Sequence, residues 1–421
     1  MSIFAAVMTG TGTGALSTIQ VFGDTAEGLI KQLFTLTGTR PAKFEAGKIL
    51  LGTIRDGGEV IDQVVIGCEG PGTFAIHCHG NPLIVERIMQ LLQRCGATLL
   101  TAEQLLAAIL KARRAEGAIA IEARLVQPKI KTLPGAKIVA SQIDAGLTQK
   151  AQDWLGHIGE ISLDKIKAEA ARILQESQAA KLIIYGCTAV LAGPPNSGKS
   201  TLLNYLAGRR KSIVTDIEGT TRDWVEATCQ FGPLSVTLID TAGLVREGET
   251  IPVGATPCGC PGQARGPAPT RLRMPPAEQT IEQAAQKKTA EILNQADLVL
   301  LVLDNSQPTK KLDDCIIERI AGRKIITVLN KSDLPAKFDI GKLPQALSDA
   351  VQISAKQGAG IEKLKEKILQ ACSAADFNPQ QPVCFTCRQE NLLRQLIHAE
   401  SKQQAASHAT ELLNGQDVLT I

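Results

Sequence analysis

Residues 190–204, VLAGPPNSGKSTLLN, constrain the fold of this chain more than any other stretch. A short apolar strand runs into a glycine-rich turn, and Lys-Ser-Thr then opens a helix. Residues 193–200 fit GxxxxGK[ST], the P-loop pattern, in which backbone N–H groups and a helix N-terminus surround an anionic phosphate. We expect Lys199 to place its charge on the β and γ oxygens and Ser200 to ligate Mg²⁺.

The region 181–372 repeats one pattern, in which apolar strands alternate with amphipathic helices. The strands are the near-continuous apolar runs TAVLAG, LSVTLID, ADLVLLVLD, KIITVLN and AVQISA. Such runs are typical of a parallel sheet that is covered by helices on both faces. The sequence therefore predicts an α/β nucleotide-binding domain.

Two segments that follow strands indicate which base is bound. NKSD, residues 330–333, follows KIITVLN, and ligands of parallel sheets bind at such carboxyl ends. The carboxylate of Asp333 can accept from guanine N1–H and from the exocyclic amine, whereas adenine has no N1 donor and would leave this buried acid unpaired. Ser354-Ala355-Lys356 also follows a strand, and we expect it to bring a backbone N–H to guanine O6. These patterns predict GTP.

Two further segments complete the pattern of a switch GTPase. LIDTAG places Asp240 at a strand tip as an outer partner of Mg²⁺, and Gly243 where its N–H can sense the γ-phosphate. TDIEGTTRD, residues 215–223, carries threonines that could complete the metal site. Leu244 stands where Ras-like enzymes have a glutamine that orients water, so another group must act. Asn196 could hold a monovalent cation against the developing charge, or it could only brace the loop.

The predicted nucleotide-binding residues fall in these five segments. They are Asn196, Ser197, Gly198, Lys199, Ser200, Thr201, Thr215, Asp216, Ile217, Glu218, Gly219, Thr220, Thr221, Asp240, Thr241, Ala242, Gly243, Asn330, Lys331, Ser332, Asp333, Ser354, Ala355 and Lys356.

Length and pattern predict several domains around the GTPase domain. We divide the 421 residues into an α+β domain at 1–115, a helical part at 116–180, the P-loop GTPase domain at 181–372 and a second helical part at 373–421. Residues 251–280 are rich in proline and glycine and lie between two Thr-Ile dipeptides. We interpret them as a tolerated insertion.

The composition indicates where the protein is located and which kinds of partner it binds. The net charge is only +3, which gives no broad basic field for non-specific nucleic-acid binding. No apolar run approaches the roughly 20 residues of a membrane span, and the N-terminus lacks the pattern of a signal peptide. Eleven cysteines without framework spacing fit reduced thiols. We expect a cytoplasmic protein without membrane contact.

The strings GPPNSGKSTLLNYLAG, IVTDIEGTTRDWVE, LIDTAGLVRE, NKSD and ISAKQGAGIEKL resemble the MnmE (TrmE) family of tRNA-modification GTPases, densely over about 185–372. The N-terminal and helical regions resemble that family more weakly. The resemblance implies a GTPase domain inserted in a helical domain, and a homodimer formed through the N-terminal domain. It also implies a flavin-dependent partner of the MnmG type and action on the wobble uridine (U34) of tRNA.

The resemblance also assigns roles to particular residues. It implies K⁺ ligation by Asn196, Thr215, Ile217 and Thr220, and Mg²⁺ ligation by Ser200 and Thr221. When residues 251–280 are excised, the Ile-Glu of the family's hydrolytic stretch falls on Ile281-Glu282. Glu282 is therefore the candidate catalytic residue that positions water.

The chain departs from the family pattern in three places. Gln20, Pro71 and Ala75 stand where the formyl-folate site has arginine and acidic residues. A stretch like GEFTKRAFLNGKLDL is not recognisable after LLTAEQ, and the sequence reads ELLNGQDVLTI where the family has Cys-x-Gly-Lys. Two alternatives follow: a regulatory GTP-binding module without the tRNA chemistry, or a ribosome-assembly GTPase, which would need a basic RNA-binding module.

Overall fold

The structure is a computed structural model, and most of the chain is described in it. The described residues are 2–10, 12–37, 44–112, 117–208, 224–241, 296–309 and 322–415. They form two compact units. The first comprises 1–128, 142–171 and 386–421, and the second comprises 129–141 and 172–385.

Strands and helices are numbered here in chain order. The described strands are β1 (Ile3–Val7), β2 (Leu16–Phe22), β3 (Phe34–Leu36), β4 (Ile49–Asp56), β5 (Glu59–Gly70), β6 (Thr73–His79), β7 (Ala97–Leu99), β8 (Cys187–Ala192), β9 (Trp224–Phe231), β10 (Leu234–Thr241), β11 (Leu298–Asp304), β12 (Ile325–Asn330) and β13 (Ala350–Gln352). The described α-helices are α1 (Ala26–Leu33), α2 (Pro82–Arg94), α3 (Ala102–Ala112), α4 (Ala118–Val126), α5 (Leu133–Asp144), α6 (Gly146–Gly156), α7 (Leu163–Tyr185), α8 (Lys199–Ala207), α9 (Ile361–Ala371), α10 (Cys387–Ile397) and α11 (Lys402–Asn414).

The first unit contains a seven-stranded sheet in the order β3-β4-β5-β6-β2-β1-β7. Neighbouring strands are antiparallel except β1 and β7, which are parallel. Alternate side chains of β2 are buried, because successive residues of a strand point to opposite faces. Helices α1 and α2 contribute to the core on one face, and Leu105 and Ile109 of α3 pack against Ala6 of β1 on the other.

A buried ion pair joins helices of the first unit. Glu122 of α4 is fully buried and accepts hydrogen bonds from Arg388 Nη2 at 2.8 Å and from Gln389 Nε2 at 2.7 Å. Thr386, the N-cap of α10, donates to the same carboxylate at 2.7 Å. A buried charge is tolerated when it is paired and hydrogen-bonded, as Glu122 is here. The cluster therefore fixes α10 against α4.

The second unit contains a six-stranded sheet in the order β13-β12-β11-β8-β10-β9. The apolar runs of the sequence form five parallel strands of this sheet, as predicted. The sixth strand, β9, is antiparallel to β10, so the sheet is mixed rather than wholly parallel. Only two residues connect β9 to β10, and a connection so short can make a hairpin but not a crossover.

These elements confirm the predicted fold class, which is a P-loop α/β domain within a multidomain α/β and α chain. No described helix has both the length and the apolar character that a membrane crossing requires.

Candidate nucleotide-binding site

The P-loop begins where the central strand β8 ends. Gly193 has φ +136°, and a Cβ on it would collide with the carbonyl oxygen of Val302 in the neighbouring β11. Gly198 has φ +93° and forms the N-cap of α8, and a Cβ there would collide with the side chain of Asn330. Only glycine fits both positions, because each combines a positive φ with a close approach of neighbouring atoms. The turn therefore brings its backbone N–H groups to the start of α8, where anions bind.

Lys199 lies inside this turn. Its ammonium donates to the carbonyl oxygens of Gly193 at 3.0 Å and Pro194 at 2.9 Å. The side chain is only 6% exposed, and burial lowers the pKa of Lys199, while the charge of Asp240 opposes this shift. The structure thus holds the cation of Lys199 within the turn that the sequence predicts to bind phosphate.

Ser200 and Asp240 form a pair of oxygen donors beside the P-loop. The Ser200 hydroxyl donates a hydrogen bond to Oδ2 of Asp240, which is 6% exposed near the end of β10. The other oxygen, Oδ1, has no hydrogen-bond partner among the described residues. Hydroxyl and carboxylate oxygens are the ligands that Mg²⁺ prefers, and a buried carboxylate oxygen is stable when a cation or its water satisfies it. These residues fit Mg²⁺.

Asn330, at the end of β12, bridges two loops. Its Nδ2 donates to the Ser197 carbonyl of the P-loop at 2.9 Å, and its Oδ1 accepts from the Ala355 amide at 2.9 Å. The sequence predicted Asn330 and Ala355 as nucleotide-binding residues and did not indicate that they bind each other. The asparagine of NKSD therefore holds the P-loop and residues 354–356 in a fixed relation.

Asp333 is held by a buried hydroxyl. Ser354 is fully buried, and its Oγ donates to Oδ1 of Asp333 at 2.7 Å. This hydrogen bond lowers the pKa of Asp333, so the carboxylate is ionised and oriented as a double acceptor. The prediction that Asp333 is a buried acid is wrong, since its side chain is exposed. Adenine is then excluded only if the bound base itself covers the Asp333 carboxylate and so makes an unpaired carboxylate costly.

Lys331 has a partner that sequence reasoning missed. Its Nζ donates to Oδ2 of Asp304 at 2.6 Å, and Asp304 is the last residue of β11. Burial tends to raise the pKa of Asp304, but hydrogen bonds from Lys331 and Ser306 outweigh it and lower the pKa overall. The signal in the sequence was the acidic residue at the end of ADLVLLVLD, next to the strand that carries NKSD.

The other predicted site residues occupy the same loops or lie outside the described part of the chain. Ser197 is buried in the P-loop, Thr201 is exposed in the first turn of α8, Ser332 donates its amide to the Ile353 carbonyl at 3.0 Å, and Lys356 is exposed. Thr241 ends β10, and its backbone pairs with Trp224. The predictions for Thr215, Asp216, Ile217, Glu218, Gly219, Thr220, Thr221, Ala242, Gly243 and Glu282 lie outside the described residues.

Comparisons with known proteins point to the same chemistry. A family model described as 50S ribosome-binding GTPase matches residues 188–331. The chain is 29% identical to the tRNA modification GTPase MnmE of Lacticaseibacillus paracasei, over 96% of this chain and 88% of that protein. It is 27% identical to the tRNA modification GTPase MnmE of Acetivibrio thermocellus, over 94% of this chain and 88% of that protein.

One solved structure is similar to part of the chain. The G domain of the T. maritima FeoB iron transporter is 26% identical, with a TM-score of 0.31, over 44% of this chain and 98% of that one. The family model and the near full-length alignments agree with the geometry of the P-loop, Asp240 and NKSD. The chain is thus a P-loop GTP hydrolase, and it is similar to tRNA modification GTPases named MnmE over nearly its whole length.

Proposed function

We propose that the chain is a K⁺-stimulated GTP hydrolase that acts as a dimeric switch in the modification of the wobble uridine (U34) of tRNA. One observation supports this function above other GTPase functions. The alignments to the two proteins named tRNA modification GTPase MnmE that are described above cover 94% and 96% of the chain. They therefore include the N-terminal and helical regions in addition to the GTPase domain.

A monovalent cation is proposed because the usual water-orienting glutamine is replaced by Leu244. Asn196 is exposed on the P-loop with φ +61°, a left-handed conformation that asparagine adopts more readily than most residues. A cation held there stabilises charge that develops between the β and γ phosphates. In this proposal Thr215, Ile217 and Thr220 supply the remaining K⁺ ligands.

The hydrolytic site needs two further elements. Ser200 and Thr221 would hold Mg²⁺ with the support of the Asp240 carboxylate, and the metal would neutralise charge on the phosphates. Glu282 positions the attacking water. The partners of this proposal are a second copy of the chain, a flavin-dependent enzyme of the MnmG type and tRNA, all in the cytoplasm.

GTP turnover in KCl and in NaCl at equal ionic strength tests the cation mechanism. We expect faster turnover in KCl, and we expect Asn196→Ala to remove this difference while GTP affinity stays within a few-fold. Asn378→Ala is the matched control, because Asn378 is exposed and its side chain accepts a hydrogen bond from the nearby Gln380 amide. Equal rates in both salts would remove the cation mechanism.

Rescue of cells that lack the U34 modification, read by mass spectrometry of tRNA, tests the tRNA function. We expect the wild-type chain to restore the modification and Lys199→Ala to fail. Failure of the wild-type chain, with K⁺-stimulated turnover intact, would favour a regulatory GTP-binding module instead.

One structural observation favours that second candidate. Gln20 and Ala75, two of the residues that replace the family's charged folate-site residues, lie directly opposite each other on β2 and β6. Gln20 donates to Glu69, and Ala75 is buried. This part of the sheet therefore lacks the arginine that would bind a folate carboxylate.

A further inference from the structure

Two buried cysteines face each other in the second unit. The Sγ atoms of Cys187 and Cys372 are 3.9 Å apart, within hydrogen-bond distance for sulfur. Each residue is 1% exposed. Cys187 is the first residue of β8, the strand that leads into the P-loop, and Cys372 is the C-cap of α9.

The backbone holds both thiols in place. Cys187 pairs with Val236 of β10, and Gly186 before it has φ +88°. The amide of Cys372 donates to the Ile368 carbonyl at 3.0 Å, and the left-handed Ser373, φ +53°, ends the helix. The contact therefore joins a central strand to a helix terminus, and neither side is a loose loop.

We propose that Cys187 and Cys372 are a peroxide-sensitive thiol pair, whose reversible disulfide clamps the first strand of the six-stranded sheet to α9. A disulfide has an S–S length of about 2.0 Å, so each sulfur needs to move by about 1 Å. This clamp is independent of the proposed role in tRNA modification.

The chemistry needs one small oxidant, hydrogen peroxide. The Cys372 thiolate attacks a peroxide oxygen, the O–O bond breaks, and the departing hydroxide takes a proton to become water. The sulfur of Cys187 then attacks the sulfenic acid of Cys372; the S–O bond breaks, and the Cys187 proton leaves with hydroxide as a second water. Two thiols are oxidised to one disulfide, and one peroxide is reduced to two waters.

Electrostatics support Cys372 as the thiol that reacts first. The pKa of Cys372 is lowered because it accepts a hydrogen bond from Cys187; burial opposes the shift, and the charge of Lys324 assists it. The same pairing raises the pKa of Cys187, as does burial, which favours Cys187 as the thiol that reacts second. A low-pKa thiol beside a resolving thiol is the arrangement that peroxide-sensing pairs use.

Peptide mass spectrometry of the wild-type full chain tests the proposal. The protein is treated with hydrogen peroxide, denatured with an alkylating agent and digested without reductant. We expect a peptide that links Cys187 to Cys372 and disappears with dithiothreitol. Recovery of both cysteines as alkylated thiols, or of Cys372 as a sulfonic acid without a link, would overturn the proposal.

The clamp has its own readout. A disulfide within a unit of this size should raise the thermal midpoint by roughly 5–10 °C, and dithiothreitol should reverse the rise. Cys229→Ser, at another buried cysteine of the same sheet, is the control that keeps both the linked peptide and the rise. Cys187→Ala and Cys372→Ala should each lose both. A linked peptide without a higher midpoint would overturn the clamp.

Discussion

The carboxamide of Asn330 donates a hydrogen bond to the carbonyl oxygen of Ser197, 2.9 Å away, and so ties the base-recognition segment to the P-loop. Through its oxygen, Asn330 also accepts from the amide of Ala355. Three segments that are far apart in sequence thus share one buried side chain. The P-loop and the segments predicted to recognise the base are therefore held together by the same residue.

Asn330→Ala is expected to lower the free energy of unfolding by about 2–4 kcal/mol, because two buried backbone groups lose their partner. GTP affinity should fall as well, since the loops around the base lose their fixed relation. Urea denaturation and calorimetry measure the two effects. Asn378→Ala, at an exposed asparagine, is the control and should keep the free energy of unfolding of the wild type. Equal losses of stability in the two variants would contradict the bridging role.

Asp333→Asn is expected to change the preferred base from guanine to xanthine. Guanine offers two donors to the Asp333 carboxylate, whereas xanthine has an oxygen in place of the amine and needs a donor opposite it. We expect GTP affinity to fall by about 10–100-fold and xanthosine triphosphate affinity to rise. Competition binding measures both. Unchanged GTP affinity would show that Asp333 does not contact the base.

Asp240→Asn is expected to weaken the dependence of GTP binding on Mg²⁺. The variant loses the charge behind the metal, and loss of such a supporting group lowers metal affinity by about 10–100-fold. Titration of Mg²⁺ into protein with GTP measures the shift, and binding in EDTA should equal that of the wild type. A wild-type Mg²⁺ titration in the variant would contradict the assignment of Ser200 and Asp240 to the metal site.

Asp304→Asn is expected to destabilise the chain by about 1–2 kcal/mol near pH 7, because the negative charge that pairs with the Lys331 ammonium is lost. The folded state lowers the pKa of Asp304. Its contribution is therefore complete above the unfolded pKa, about 3.9, and is lost as pH falls through the lower folded value. Urea denaturation should show the two proteins converging at acid pH, whereas a gap that is independent of pH would argue against the ion pair.

The sequence predicted the strands that carry the site, and it did so from local pattern. LVLLVLD and IITVLN are long apolar runs, and a strand buried on both faces needs little more information than that. The turn of the P-loop was likewise predictable, since the spacing of its glycines indicates where the backbone needs a positive φ. The antiparallel direction of β9 was not predicted. It depends on the two-residue connection to β10, and an apolar pattern does not give the length of a connection.

The bridges within the site were not predictable in the same way. Asn330 contacts Ser197 across 133 positions of sequence, and Lys331 contacts Asp304 across 27. Such pairs depend on which strands become neighbours in the sheet, and that order is a property of the fold. The exposure of Asp333 was missed for the same reason, because a motif gives residue types but not what covers them.

Calorimetry of the full chain with GTP and with ATP, each in Mg²⁺, tests the central claim most directly. In this account the P-loop, Lys199 and the Ser200–Asp240 pair would bind any nucleoside triphosphate, and Asp333 would supply the selectivity for guanine. We predict that GTP binds and that ATP binds at least about 100-fold more weakly. Equal affinity for the two nucleotides, or no binding of either, would contradict the account.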